Sequence, residues 1–489
     1  MKRQIAVLTA AAAMLCQTLP VRAAEHYDVY SYDRFDEAVP SQAGYTAERA
    51  VSGKMLGTAD FKEPSDLFLD AQEQLYIADS GNDRIVVTDT ALTTCLHVAD
   101  TFTMPDGTQT TLSLPTGIYI SPETGLWYIA DHDNSRVLVT DADGNVQLEI
   151  TKPDSELFDA SMTFLPQRVL ADKAGNVYIV LGNITTGAAM FSPEGDFLGY
   201  YGANTVEETS QVIADYLRKR FSTQEMRSRQ ARTVPTGITS FDLDEYGFIY
   251  TCTQSVSQRK DMVKKLNPAG ENLFASLPAD WGDLHPVYDS ATNLSYHSML
   301  CDIDIGADGN INCLDLTAGH IFQYDKEGNL LFVLGTKADQ LGGFAAPSAL
   351  ESCGDSLLVL DQQKGTVTVF RESDFGAAVH RAAVLCNEGC YAEAIAPWQE
   401  VLRYDGSYRQ AFLGLSAGYF VTGDYKASME YAKLADSSYR YDRAFACYRQ
   451  QWLHEHGGQL LFGIVLIFAG GILLRILHRR QPPGRRERT

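Results

Sequence analysis

IADSGNDRIVVTD (Ile77–Asp89) and IADHDNSRVLVTD (Ile129–Asp141) are near copies within one chain. Asp, Asn and Arg hold matching places: Asp79, Asn82 and Arg84 in the first, Asp131, Asn134 and Arg136 in the second. A catalytic group is needed once. An element written twice with the same three polar residues points instead to a scaffold assembled from repeats.

The copying extends outward. KEPSDLFLDAQEQLYIAD precedes the first stretch and LPTGIYISPETGLWYIAD the second. Pro64, Pro115, Pro166 and Pro235 open four such units. A fifth reads SMLCDIDIGADGNINCLDLTAGHIFQYDKEGNLLFVLG, and a sixth reads PSALESCGDSLLVLDQQKGTVTVF, ending at Phe370. β-rich runs alternate with Gly175-Asn176, Asp143-Gly144-Asn145, Gly309-Asn310 and Gly328-Asn329. Such dipeptides supply the positive φ that tight hairpins need. A period of about 50 residues holding roughly four strands is the pattern of a propeller blade. Residues 62–371 therefore predict an all-β six-bladed propeller.

Within each unit the Asp is expected to accept turn amides. The Asn should take a left-handed turn, and the Arg should return to a carboxylate as a fork. The fifth unit keeps Asp315 with His320 at the Arg position, and the sixth keeps Asp361 with Thr366. A hairpin lock can be dropped from some blades; a catalytic set cannot.

The run P-x-x-hydrophobic, then G-N-x-Y-[IV]-A-D-x-x-N-x-R-[IV]-x-V, resembles the NHL repeat family of six-bladed propellers, most closely at Pro64–Asp89 and Pro115–Asp141. The resemblance implies the fold and leaves function open, because this scaffold hosts binders, lyases and lactonases. Its enzymes hold a divalent metal in the central channel through Glu, Asn, Asp or His of the innermost strands. Here the blade starts offer Ser65, Thr116, Gln167, Thr236 and Ser348, which are mild polar groups. His97, His132, His285, His297 and His320 do not recur at one blade position. Nucleophilic triads, P-loops and H-E-x-x-H or G-x-S-x-G motifs are missing. No catalytic residue, metal ligand or cofactor is assigned. A metal-dependent hydrolase or lactonase acting in the channel stays as the alternative to a binding protein.

Two segments break the rhythm. Residues 203–233 carry a helical pattern from Val206 to Arg220, with Glu207 and Glu208 at its start and Arg218, Lys219 and Arg220 at its end, as the helix dipole favours. The loop from Glu271 to Ser298 is expected to expose Trp281, His285, Tyr288 and Tyr296. Arg218, Lys219, Arg220, Trp281, His285 and Tyr288 are the candidate binding residues.

Residues 377–456 read as helical. Gly389, Tyr391 and Ala394 recur 34 positions later as Gly423, Tyr425 and Ser428. That spacing resembles two tetratricopeptide repeats. A third helix, about Tyr439 to His456, would cap them. The resemblance implies a concave face for a partner's peptide or helix; a rigid spacer is the other use. Cys386 and Cys390 fall one helical turn apart, poor geometry for a bridge within a helix.

The ends complete the plan. Residues 1–23 have a basic start, an apolar run and small residues before Ala24, as a cleaved signal peptide would. Residues 24–61 read as an N-terminal extension. From 457 to 477 the one charge is Arg475, and about 20 residues span a hydrocarbon core of about 30 Å. Residues 478–489 form a basic tail, expected on the cytoplasmic side. The net charge of −22 excludes a basic nucleic-acid footprint. The expected protein is single-pass at the cell membrane, its body outside. It presents propeller and helical surfaces to a protein or carbohydrate ligand, a transporter or surface complex being one such partner.

Overall fold

The computed structural model describes residues 27–158, 161–182, 187–202, 237–254, 259–277, 279–289 and 293–479. The signal peptide, the insertion at 203–233 with Arg218, Lys219 and Arg220, the opening Pro235-Thr236 and nearly all of the basic tail lie outside them. The chain divides into two compact units: residues up to Ser31 with Pro40–Gly376, and Tyr32–Val39 with Ala377 onward.

The first unit is a ring of six antiparallel sheets. Their inner strands are Asp66–Leu69, Pro115–Ile120, Pro166–Ala171, Ser240–Leu243, Leu300–Ile305 and Pro347–Cys353. Successive inner strands are neighbours, and the sixth abuts the first, so the ring is shut. Blades one, two and three have four consecutive strands, and blade four has three. In the middle strands both faces are covered by adjoining blades. Gln74–Asp79 and Arg84–Asp89 therefore read as continuous apolar runs, with Ile77, Ala78, Ile85 and Val86 wholly buried. Outer strands alternate instead, as Val146–Ile150 does.

The hairpins share one device. Asp172 Oδ1 accepts from the amides two and four residues on, Ala174 (2.9 Å) and Asn176 (2.9 Å). Asp70, Asp141, Asp244 and Asp325 repeat it. Gly175 follows with φ +85°, a value that a Cβ would strain.

The stretch taken as an N-terminal extension contributes to the ring. Tyr45–Ser52 pairs with Thr366–Glu372 as the fourth strand of blade six, Val51 opposite Val367. Val29 and Tyr30 pair with Leu334 and Val333 outside blade five.

The helical region holds five helices among the described residues: α1 (Asp374–Asn387), α2 (Ile395–Tyr404), α3 (Arg409–Val421), α4 (Tyr425–Leu434) and α5 (Ser438–Arg479). Gly389 and Gly423 both adopt positive φ (+79° and +84°) in the turns after α1 and α3. Because α1 stops at Asn387, Cys386 and Cys390 do not share a helix, unlike the sequence-based expectation. Gly414 lets Trp398 in: a Cβ there would lie 2.0 Å from the indole nitrogen. Where α3 crosses α4, Ser428 Oγ donates to the Ser416 carbonyl (2.8 Å) and Ser416 Oγ to the Ser428 carbonyl (3.0 Å). Helix α5 is long and apolar enough to cross a membrane, and its apolar stretch is uncovered, with Ile467 76% exposed.

Candidate functional site

The repeated Asp, Asn and Arg meet at one point in each of two blades. Asp79 Oδ2 accepts from Asn82 Nδ2 and Arg84 Nε, both at 2.8 Å, and Oδ1 accepts from the Lys62 amide at 2.7 Å. Asp131 does the same with Asn134 (2.9 Å), Arg136 (2.8 Å) and the Ser113 amide (2.7 Å). Each carboxylate is fully buried and ties the second and third strands to the segment that enters the blade. The left-handed residue is the one after the Asn: Asp83 (φ +55°) and Ser135 (φ +53°). The Asn amide is used up in bonds to the Asp and to a carbonyl of the entering segment.

The blade-start residues face neighbouring blades. Thr116 Oγ1 donates to the Pro166 carbonyl (2.8 Å), Ser348 Oγ to that of Pro64 (3.1 Å) and Ser65 Oγ to that of Thr116 (3.1 Å). One residue further along, register places Asp66, Gly117, Arg168, Ser240, Asp302 and Ala349 at one level of the six inner strands. Arg168 crosses the axis there. Its guanidinium donates to the carbonyls of Thr116 (2.7 Å), Ser65 (3.0 Å) and Ser348 (3.1 Å) and faces Asp66 at 3.4 Å. This closes the channel at that level with a bonded cation.

Two residues further lie Phe68, Tyr119, Leu170, Asp242, Asp304 and Glu351. Blades one to three thus give an apolar half and blades four to six a carboxylate half. Several carboxylates also satisfy the exposed inner edge of the next blade. The Ile118 amide donates to Asp66 (2.9 Å), Ile305 to Asp242 (2.7 Å) and Leu350 to Asp302 (2.7 Å). Burial, and then the crowding of like charges, pushes Asp242 and Glu351 well above the carboxylate range. Burial lifts Asp304 to about 6. It lifts Asp66 to about 7 against the pull of Arg168.

None of these axial residues was among the sequence candidates. Their signal was present in FDLD (Phe241–Asp244) and CDIDI (Cys301–Ile305), where Asp occupies alternate positions of strands that a core would make apolar. Among the described residues, no three His, Cys, Asp or Glu ligand atoms at the axis lie close enough for one ion. The single such group is Asp283, Asp315 and His320, near blade five. There Asp315 already accepts the amides of Met299 (2.6 Å), Thr317 (3.1 Å) and Ala318 (2.9 Å). His320 Nδ1 bonds Asp283 at 3.0 Å, and Nε2 faces Asp28 at 3.7 Å. This is a hydrogen-bonded clasp whose oxygens are taken.

The loop candidates separate. Trp281, expected at the surface, is fully buried between Phe274 (5.6 Å) and Tyr324 (4.6 Å), because the loop packs down onto the core of blade five. His285 and Tyr288 stay at the surface, Tyr288 donating to Asn293 Oδ1 (2.6 Å) across a short hairpin. The three do not form one site.

The helical region carries a groove of about 310 Å³ lined by Tyr391, Ser416, Phe420, Tyr439, Arg440 and Arg443, among others. Arg443 lies over the Phe420 ring at 4.5 Å. Among the described residues neither guanidinium has a carboxylate partner, and no acidic residue lines the groove.

No family model matches the chain, and no curated protein is similar to it in sequence. Solved structures similar to it include virginiamycin B lyase from Staphylococcus aureus, 11% identical, covering 66% of this chain and 99% of that one at a TM-score of 0.40. Hydrazine synthase from Kuenenia stuttgartiensis is 9% identical over 64% of this chain and 97% of that one, with a TM-score of 0.39. A streptogramin B lyase is 10% identical over 68% and 100%, also at 0.39. At these values the likeness is one of backbone, and the six-bladed architecture rests on the strand pairing itself.

Proposed function

We propose that the chain is a membrane-tethered binding protein. Helix α5 fixes it in the bilayer with the body outside, and the groove of the helical region receives a segment of a protein partner. The reading takes the propeller as NHL type, supported by the Asp-Asn-Arg lock in two blades. It takes the helices as tetratricopeptide-like, supported by Gly389 and Gly423 turning alike 34 positions apart. One observation carries it: among the described residues, Arg440 and Arg443 have no carboxylate partner beside exposed aromatic surface, in a chain of net charge −22. Two open guanidinium forks over apolar walls suit a carboxylate next to an apolar side chain. Lipid headgroups suit them less. Gly457, where the apolar run begins, lies fourteen positions after Arg443 on one continuous helix. At 1.5 Å per residue that is about 20 Å, beyond a Debye length of about 8 Å.

The test is photo-crosslinking in intact cells from a reactive amino acid at position 439. A specific crosslinked protein is expected, lost in the Arg440→Glu/Arg443→Glu double variant while the thermal midpoint stays unchanged. An adduct that survives both reversals would refute the groove as the docking site.

A further inference from the structure

We infer that the axis of the propeller is a proton-operated clasp: its buried carboxyl groups share protons at neutral pH, and the ring is held more firmly in mild acid than above neutrality. The six inner strands carry five carboxyl side chains, Asp66, Asp242, Asp302, Asp304 and Glu351, against one basic residue, Arg168. Register sets all six at two successive levels around the axis. Asp66, Asp302 and Asp304 are buried, and the two partly open members, Asp242 and Glu351, give protons a way in and out. Full ionisation would leave most of these anions without a countercharge inside the protein. Buried carboxyls in that position take up protons instead.

The same groups join the blades. Asp66 accepts the Ile118 amide of blade two (2.9 Å), and Asp242 the Ile305 amide of blade five (2.7 Å). Asp302 takes Ser240 Oγ of blade four (2.7 Å) and the Leu350 amide of blade six (2.7 Å). Asp304 takes Ser352 Oγ of blade six (3.2 Å) and Asn312 Nδ2 of its own blade (2.7 Å). Glu351 accepts the Leu69 amide of blade one. The seams between blades one and two, four and five, five and six, and six and one thus all run through a titratable group. Ionisation sets like charges against each other across those seams, which links proton loss to ring closure.

The neighbouring groups supply no further countercharge. Cys252, Cys301 and Cys313 flank Asp302, Tyr45 reaches Asp304 through Gln323 and Asn312, and Tyr119 and Tyr250 neighbour Asp242. Burial raises each of these thiols and phenols and keeps them neutral. Burial likewise lifts Asp304 to about 6, Asp66 to about 7 against Arg168, and Asp302, Asp242 and Glu351 above the usual carboxylate range. Folded values above the unfolded one mean stability that is complete below about 4 and lost as pH rises through about 6 and 7.

The full-length protein in detergent is unfolded with urea at pH 5 and pH 7.5, as wild type and as Asp304→Asn, which keeps an oxygen for its donors and cannot titrate. A carboxyl held at about 6 changes the folding constant about tenfold over that interval. The wild type should therefore lose at least fivefold more of its folding constant between the two pH values than Asp304→Asn does. Asp60→Asn, at an exposed pair with Lys54, should lose as much as the wild type. His320 contributes alike to all three proteins. Infrared spectra of the folded wild type give a reading that needs no variant: the carbonyl band of a protonated carboxyl is expected at pH 6 and should weaken by pH 8. The proposal is overturned if Asp304→Asn keeps the pH dependence of the wild type, or if that band is missing at pH 6. Should Asp304→Asn fail to fold, the band decides.

Discussion

His320 stands where blades one and two place an arginine, and it does a different job. Its Nδ1 takes Asp283 at 3.0 Å, with the Tyr30 hydroxyl on the same side at 3.3 Å, and Nε2 faces Asp28 at 3.7 Å. Burial alone would push the imidazolium down. The bonds to Asp28 and Asp283 and the charges of Asp283 and Asp315 outweigh it, and the ring is lifted from 6.5 to about 9. A folded value above the unfolded one means stability that is complete below about 6.5 and lost as pH climbs through about 9. At about 1.4 kcal/mol per unit, the clasp contributes on the order of 3 kcal/mol at pH 6. His320→Gln should therefore lower the urea midpoint most at pH 6, with the gap to wild type narrowing by pH 10. A gap independent of pH would show that the imidazole only fills space.

At the scale of the hairpin, the Asp79 lock explains why thirteen residues are nearly repeated. Three donors converge on one fully buried carboxylate. Removing it leaves the Lys62 amide without its acceptor and takes the countercharge from Arg84, which keeps only Thr58 and the Ala59 carbonyl, and breaking a buried pair costs about 3–5 kcal/mol. Asp79→Ala should lose about that much by chemical denaturation, whereas Asp60→Ala, at an exposed pair, should leave the midpoint where it is. A small loss at Asp79 would mean that the blade repacks around the gap. The spacing of Pro64, Pro115 and Pro166 and the turn glycines made the blades legible, because hairpin chemistry is local. The axial residues were less so. Their partners lie in other blades, and a lone Asp within a strand does not say which blade it faces. Trp281 misled for the same reason: a loop in sequence became the lid of a core in space.

For the whole molecule, the ring depends on one strand far from its partner. Tyr45–Ser52 fills the outer place of blade six, a pairing that local pattern cannot reveal because Arg371 and Glu48, bonded at 3.0 Å, are 323 positions apart. Val51 is 1% exposed and lies opposite Val367. Val51→Pro removes a ladder donor and a packed side chain, and proline within a sheet is poorly tolerated. A loss of about 3 kcal/mol or more is expected, seen by calorimetry as a lower, broader transition of the propeller. An unchanged transition would show that the other five blades hold without this strand. The acidity of the body also gains a structural reason. Much of it sits in turn-forming Asp residues such as Asp70, Asp172 and Asp325, and in carboxylates that latch one blade to the next.

That pairing sets a clock on synthesis. The ribosome makes residues 45–52 early and their partner 323 positions later; at about 5–20 residues per second the wait is roughly 15–65 seconds. Through that interval the strand is an open edge with nothing to pair against. Glu48 and Arg49, adjacent charges in its middle, are the kind of residues that discourage a strange chain from taking the place first.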